Sequence, residues 1–137
     1  MSEPHRFPVR IYYEDTDAAG IVYYANYLKF AERARTEWLR ELGHPHQALV
    51  EGEGLAFAVR RCAADYVKPA RLDDLLSIES QLSGLGAASL DLVQTVLRDD
   101  APLVRIDIRL ACLDSRLRPA RIPAALRARL KPFLQGG

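Results

Sequence analysis

Three acidic side chains, Glu14, Asp15 and Asp17, stand close together in the run Tyr12 to Tyr27, YYEDTDAAGIVYYANY, just ahead of a glycine and an amphipathic segment. A carboxylate near the start of a helix lies beside backbone N–H groups that have no partner within the helix. That pairing suits transfer of an acyl group to water. The carboxylate activates the water or attacks directly, and the free donors hold the oxyanion that develops. An aspartate in a polar turn is ionised at neutral pH from its reference pKa of about 3.9, so either role needs no special tuning. Asp17 is nearest to Gly20 and to the helix start, whereas Glu14 and Asp15 adjoin the end of a strand. On the residues alone, a turn-forming or capping role competes with the catalytic one.

Other chemistries find less support. Asp15, Asp17 and Gly20 have the spacing of the first, third and sixth positions of a calcium loop, but Ala19 and Asn26 then occupy positions where ligands belong, so no metal is expected. His5, His44 and His46 lack any partner pattern and are expected at the surface. Cys62 and Cys112 form no CxxC pair or zinc spacing, and both read as buried thiols. Gly84-Leu85-Gly86 lacks the third glycine and following helix of a dinucleotide fingerprint, and no G-x-S-x-G run occurs. Arg60, Arg61, Lys68 and Arg71 form a basic cluster that could meet phosphates or serve as a solvated strand face.

The elements that must position these residues follow from periodicity. Phe7 to Tyr13 reads as a strand and Glu14 to Gly20 as a loop. From Asn26 to Gly43, the residues Tyr27, Phe30, Ala31, Ala34, Trp38 and Leu42 recur on one helical face, with an Arg33–Glu37 pair opposite and Gly43 as the stop. Gln47 to Glu53 reads as a short helix. Four strands are expected at Leu55–Tyr66, Leu76–Leu82, Ser89–Arg98 and Leu103–Asp114. The third is apolar on both faces and therefore central, and the fourth alternates most cleanly. Ile122 to Phe133 reads as a closing helix opened by Pro123. A long helix and a run of strands joined by short turns specify an α+β domain with a mostly antiparallel sheet.

The 137 residues fit one domain, 1–137, with enough length for its own core. A formal net charge of +1 gives no global argument for nucleic acid or an anionic membrane, leaving only local patches to consider. The N-terminal run MSEPHRFPVR has no apolar signal core, and no run approaches the ~18 apolar residues of a membrane helix. A cytoplasmic location without a membrane segment is expected.

The stretch Val9 to Glu37, VRIYYEDTDAAGIVYYANYLKFAERARTE, closely resembles the hot-dog-fold acyl-CoA thioesterases, in particular the Tol–Pal-associated group and the hydroxybenzoyl-CoA thioesterases. A second match, Tyr66-Val67-Lys68-Pro69-Ala70-Arg71-Leu72-Asp73-Asp74, supports it. The resemblance implies a hot-dog fold, a curved antiparallel sheet wrapped around one long helix. It implies hydrolysis of acyl-CoA, or of an acyl carrier protein thioester, with no cofactor beyond the CoA of the substrate. Asp17 falls on the family's catalytic carboxylate, and the backbone N–H near Tyr24 on its oxyanion donor, which moves the expected helix start to Val22–Tyr24. Tyr13, Thr16 and Asn26 become site-shaping residues, and Lys68 and Arg71 nominees for the CoA phosphates. Homodimers or homotetramers with sites at the dimer interface are implied. The Tol–Pal-associated group usually has histidine where this chain has Tyr24; a backbone donor survives the change, but any acid–base role of that histidine does not. The rival readings are a hot-dog hydratase or dehydratase and a non-catalytic acyl-carrier or cell-envelope partner-binding module.

Overall fold

The computed structural model describes residues 3–135. In chain order it contains β1 (His5–Arg10), a 3-10 turn (Tyr13–Asp15), α1 (Asn26–Glu41), a short α2 (His46–Ala48) running into a π turn (Leu49–Glu53), β2 (Ala56–Tyr66), β3 (Leu75–Leu85), β4 (Ser89–Arg98), β5 (Ala101–Leu113) and α3 (Ala124–Leu130) with a closing 3-10 turn (Lys131–Phe133). The strands form one antiparallel sheet in the order β1-β3-β4-β5-β2. β4, the strand with apolar residues on both faces, is the central one, as its composition requires.

Period-two alternation sorts the side chains. Leu76, Ile78 and Leu82 of β3, Leu90, Leu92 and Val96 of β4, and Val104, Ile106, Ile108, Leu110 and Cys112 of β5 are buried on one face. α1 lies over that face and buries Tyr27, Phe30, Ala31, Ala34, Trp38 and Leu39. Burying a large apolar side chain stabilises the fold by roughly 1.5–3 kcal/mol, so this layer dominates the core. The opposite face carries polar pairs such as Arg109–Asp91, joined by two hydrogen bonds of 2.7 and 3.1 Å. The architecture is the α+β hot-dog arrangement.

α1 ends as its sequence specifies. Gly43 adopts φ 85°, its N–H donates to the Arg40 carbonyl, and the His44 N–H donates to the Leu39 carbonyl. This is the double closure of a Schellman stop, which a glycine accepts without a Cβ clash.

Several expectations are corrected. β1 begins at His5 and ends at Arg10, so Tyr13 belongs to a 3-10 turn rather than to the strand. The expected Arg33–Glu37 pair is replaced by Arg40–Glu37 at 3.2 Å, while Arg33 sits 5.9 Å from the Phe30 ring. Cys62 is exposed because α1 leaves the inner face of edge strand β2 uncovered. His5 is not at the surface: its ring stacks on Trp38 with centroids 5.8 Å apart, and Nε2 lies 3.2 Å from Glu41 Oε2. The closing helix is shorter than its pattern, from Ala124 to Leu130, with Pro123 as the N-cap residue. Arg60, Arg61, Lys68 and Arg71 do not converge. Arg61 lines a groove on the polar sheet face with Asp91, Asp107 and Arg109, whereas Lys68 lies beside α1.

One polar group crosses the core. Arg35 on α1 is 8% exposed, and its guanidinium donates to Gln94 Oε1 at 2.9 Å. The Gln94 amide donates in turn to the Ala31 carbonyl at 2.9 Å and to the Ser80 hydroxyl at 3.0 Å. These bonds tie the middle of the helix to β3 and β4. Burial pushes the Arg35 pKa down, and the nearby Glu32 opposes that shift.

Candidate active site

The acidic motif folds as a small hairpin. The Tyr23 N–H donates to the Asp15 carbonyl, Thr16 bridges Val22, the Asp17 N–H donates to the Ile21 carbonyl, and the Gly20 N–H returns to the Asp17 carbonyl. Gly20 at the tip adopts φ 78° and nothing lies within 4 Å of a Cβ built on it. Gly20→Ala is therefore expected to cost about 1–2 kcal/mol from backbone conformation alone. Chemical denaturation measures this, and an unchanged midpoint would contradict it.

The three carboxylates have different tasks in this hairpin. Asp15 Oδ2 accepts the Tyr12 N–H at 2.9 Å, which makes Asp15 a local cap. Glu14 is exposed in the 3-10 turn. Asp17 is exposed at the tip, where Oδ1 accepts the Ala19 N–H at 2.8 Å. Among the described residues, Oδ2 of Asp17 has no protein hydrogen-bond partner, so Asp17 keeps one oxygen free on an otherwise fixed side chain.

The return leg of the hairpin runs into α1. The helix begins at Asn26 with Ala25 as its N-cap, not at Val22–Tyr24. Tyr23 and Val22 are held back by ladder bonds, and Tyr24 and Ala25 form the turn between hairpin and helix. Among the described residues, neither the Tyr24 nor the Ala25 N–H has a hydrogen-bond acceptor. The uncommitted donors thus lie just before the first turn of α1, with Tyr24 among them. Asn26 does not cap the helix; its Nδ2 donates to the Asp15 carbonyl at 3.1 Å and braces the hairpin. Thr16 likewise spends its hydroxyl on the Tyr13 carbonyl at 2.7 Å.

The second sequence motif docks on this unit. The Val22 N–H donates to the Ala70 carbonyl, Ile21 bridges Arg71, and the Ala70 N–H donates to the buried Tyr27 hydroxyl at 2.9 Å. Between them lies a mainly apolar cleft of about 210 Å³ lined by Ile21, Val22, Tyr24, Tyr27, Tyr66, Val67, Lys68 and Pro69. Tyr24, Tyr27 and Tyr66 form a cluster with centroids 5.8–5.9 Å apart across the Tyr66 ring. Burial raises the pKa of both Tyr27 and Tyr66, which keeps these phenols neutral.

Of the residues singled out from the sequence, Tyr24 and Lys68 line the cleft, Arg71 adjoins it through its bridge to Ile21, and Thr16 and Asn26 brace the hairpin. Asp17 stands on the far leg of the hairpin, opposite the cleft-lining Ile21. Tyr13 is 82% exposed and does not enter the cleft. Tyr27 and Tyr66 were missed as site residues. Tyr27 looked like core and Tyr66 like a strand terminus; only the docking of the two motifs reveals them.

Asp74 locks the second motif. Burial raises its carboxyl pKa, but the Arg71 N–H and the Arg98 guanidinium, 2.8 Å away, outweigh burial and leave it below the usual value. A depressed folded-state pKa contributes stability that is fully present above the unfolded value of about 3.9 and is lost as pH falls through the folded value. Asp74→Asn should therefore flatten the acid limb of stability against pH. An unaltered acid limb would show that Asp74 does not carry it.

A five-stranded antiparallel sheet over one long helix, with a carboxylate hairpin at the head of that helix, defines a hot-dog thioesterase class. The thioesterase-like superfamily matches residues 12–130, and the chain belongs to that family. It is 45% identical over 123 residues to the acyl-CoA thioesterase YbgC of Haemophilus influenzae, covering 89% of this chain and 90% of that protein. It is 41% identical over 128 residues to the acyl-CoA thioester hydrolase YbgC of Escherichia coli O157:H7, covering 92% and 95%. A probable thioesterase from Bartonella henselae superposes with a TM-score of 0.84 at 37% identity, covering 88% of this chain and 99% of that one. The protein is a thioesterase.

Proposed function

We propose that this protein hydrolyses acyl-CoA thioesters to a free acid and CoA in the cytoplasm, without a metal or redox cofactor. The observation that supports this reading is the apolar cleft at the head of α1 with the Tyr24 and Ala25 N–H groups free of acceptors among the described residues, while Asp17, on the opposite leg of the same hairpin, keeps one carboxylate oxygen uncommitted. The thioester carbonyl points at the Tyr24 N–H. Asp17 takes a proton from water as it attacks the carbonyl carbon, or attacks that carbon itself to give a mixed anhydride that water then opens. In both routes the C–S bond breaks and the thiolate leaves as CoA. One preorganised oxyanion donor contributes about 3–4 kcal/mol and a positioned base about 10²–10⁴-fold. Lys68 on the cleft wall and the exposed Arg71 meet the CoA phosphates.

The relatives named for acyl-CoA hydrolysis support the substrate class. An acyl carrier protein thioester presents the same bond and is the alternative donor. In one protomer Asp17 is open to solvent and β2 has an unpaired edge. We take these together to mean that a second copy pairs along β2, covers the exposed Val59 and Tyr66, and encloses the site. A homotetramer follows if two such dimers pair through their polar sheet faces. A hydratase reading needs a histidine at the cleft, whereas His5, His44 and His46 lie near the other end of α1. Thiol release from short, long and aromatic acyl-CoAs and from acyl carrier protein thioesters tests the activity. No release from any of them would favour the binding-module reading.

A further inference from the structure

The charges of this chain are unevenly placed. Ser115 to Gly137 holds six of its 19 Lys and Arg and none of its 18 Asp and Glu, so the first 114 residues carry 13 cationic against 18 acidic side chains. Four sheet arginines are neutralised: Arg6 pairs with Glu79, Arg98 with Asp74, Arg105 with Asp107 and Arg109 with Asp91. Arg10, Arg60 and Arg61 are exposed without such a partner among the described residues, but each lies in a part of the chain that also carries carboxylates. What sets the C-terminal segment apart is that Arg116, Arg118, Arg121, Arg129 and Lys131 are all exposed, none has a carboxylate within 4.0 Å among the described residues, and no acidic residue follows Asp114 in the sequence.

The first of these cations sit on a rigid turn. Asp114 Oδ1 accepts the backbone N–H groups of both Arg116 and Arg118 at 2.8 and 3.0 Å, and the Asp114 N–H donates to the Arg118 carbonyl. At the tip, Leu117 adopts φ 63° and is 77% exposed. A leucine in that backbone region is strained by about 1–2 kcal/mol, a position glycine or asparagine fills more readily. The turn therefore holds an apolar side chain out in solvent between two arginines.

We infer that the Asp114–Lys131 segment docks this protein on an anionic lipid surface, with the cations at the headgroup phosphates and Leu117 entering the interface. Basic residues near such a surface each strengthen binding by about fivefold, and an apolar tip supplies anchorage that charge alone does not. An acidic carrier protein would satisfy the same charges and is the competing outcome.

Co-sedimentation of the full chain with phosphatidylcholine vesicles, with and without phosphatidylglycerol, tests this. Wild type should pellet only with the anionic vesicles and be released by salt. The Arg116→Glu, Arg118→Glu, Arg121→Glu triple variant should bind roughly 100-fold more weakly or worse. Leu117→Gly relieves the strained φ, so it should fold at least as well yet bind about tenfold more weakly. Hydrolysis of thioesters in free solution should be unchanged in all of them. Equal binding to neutral vesicles, undiminished binding in the triple variant, or no loss in Leu117→Gly would overturn the proposal. So would failure to bind vesicles combined with arginine-dependent capture on an acidic carrier protein.

Discussion

Asp17→Asn should lower kcat/KM for acyl-CoA by about 10³-fold or more while leaving stability within about 0.5 kcal/mol of wild type. Asp17 Oδ1 is spent on the Ala19 N–H, which an asparagine carbonyl accepts equally well, so the hairpin keeps its shape. What changes is the second oxygen, which is a free carboxylate oxygen in the wild type and becomes an amide NH₂ in the variant. An amide neither accepts a proton from water at neutral pH nor attacks a thioester, so both mechanistic routes stop together. Steady-state thiol release with a parallel urea melt separates chemistry from folding. Retained turnover in a folded variant would move the base elsewhere. Asp15 is a poor substitute, because its carboxylate already caps the Tyr12 N–H.

The second large effect concerns the core. Gln94→Leu should destabilise the fold by about 3 kcal/mol, although leucine suits an apolar layer. Gln94 holds the acceptor for the Arg35 guanidinium and donates to Ala31 and Ser80. Without it, a nearly buried cation loses its acceptor, and that uncompensated burial sets the size of the loss. The double variant Arg35→Met with Gln94→Leu removes the stranded charge and should recover most of the stability. A double-mutant cycle by urea denaturation measures the coupling. If the two substitutions add independently, the network does not hold the helix to the sheet.

The sequence carried more of the fold than of the site. β5 was legible because apolar and polar residues alternate along it from Val104 to Cys112, and β4 because its middle is apolar on both faces, which suits the central strand. α1 was legible from its apolar face and from Gly43. Its start was not, because the hairpin from Asp15 to Tyr23 holds Val22 and Tyr23 out of the helix, and that hairpin is itself fixed by a non-local bond from the Val22 N–H to the Ala70 carbonyl. The family resemblance pulled the start too early; the local pattern at Asn26 was nearer the truth. His5 and Cys62 were misplaced for a related reason. Whether a residue is covered depends on which strand lies at the edge and where α1 rests, neither of which a local window encodes. The Arg35–Gln94–Ser80 network left only a faint trace, a glutamine inside an apolar run. The cleft was invisible until the two motifs met through Val22, Ala70 and Tyr27.

The central claim is that the N–H groups preceding α1 receive the thioester oxygen while Asp17 faces it. It is tested most directly by amide NMR of the protein titrated with a non-hydrolysable acyl-CoA ketone, in which a methylene replaces the thioester sulfur. The account predicts that the Tyr24 N–H shifts downfield as its new hydrogen bond forms, together with perturbation of Asp17 and Ala25. Saturating binding that leaves the Tyr24 and Ala25 amides unmoved while shifting residues elsewhere would contradict it.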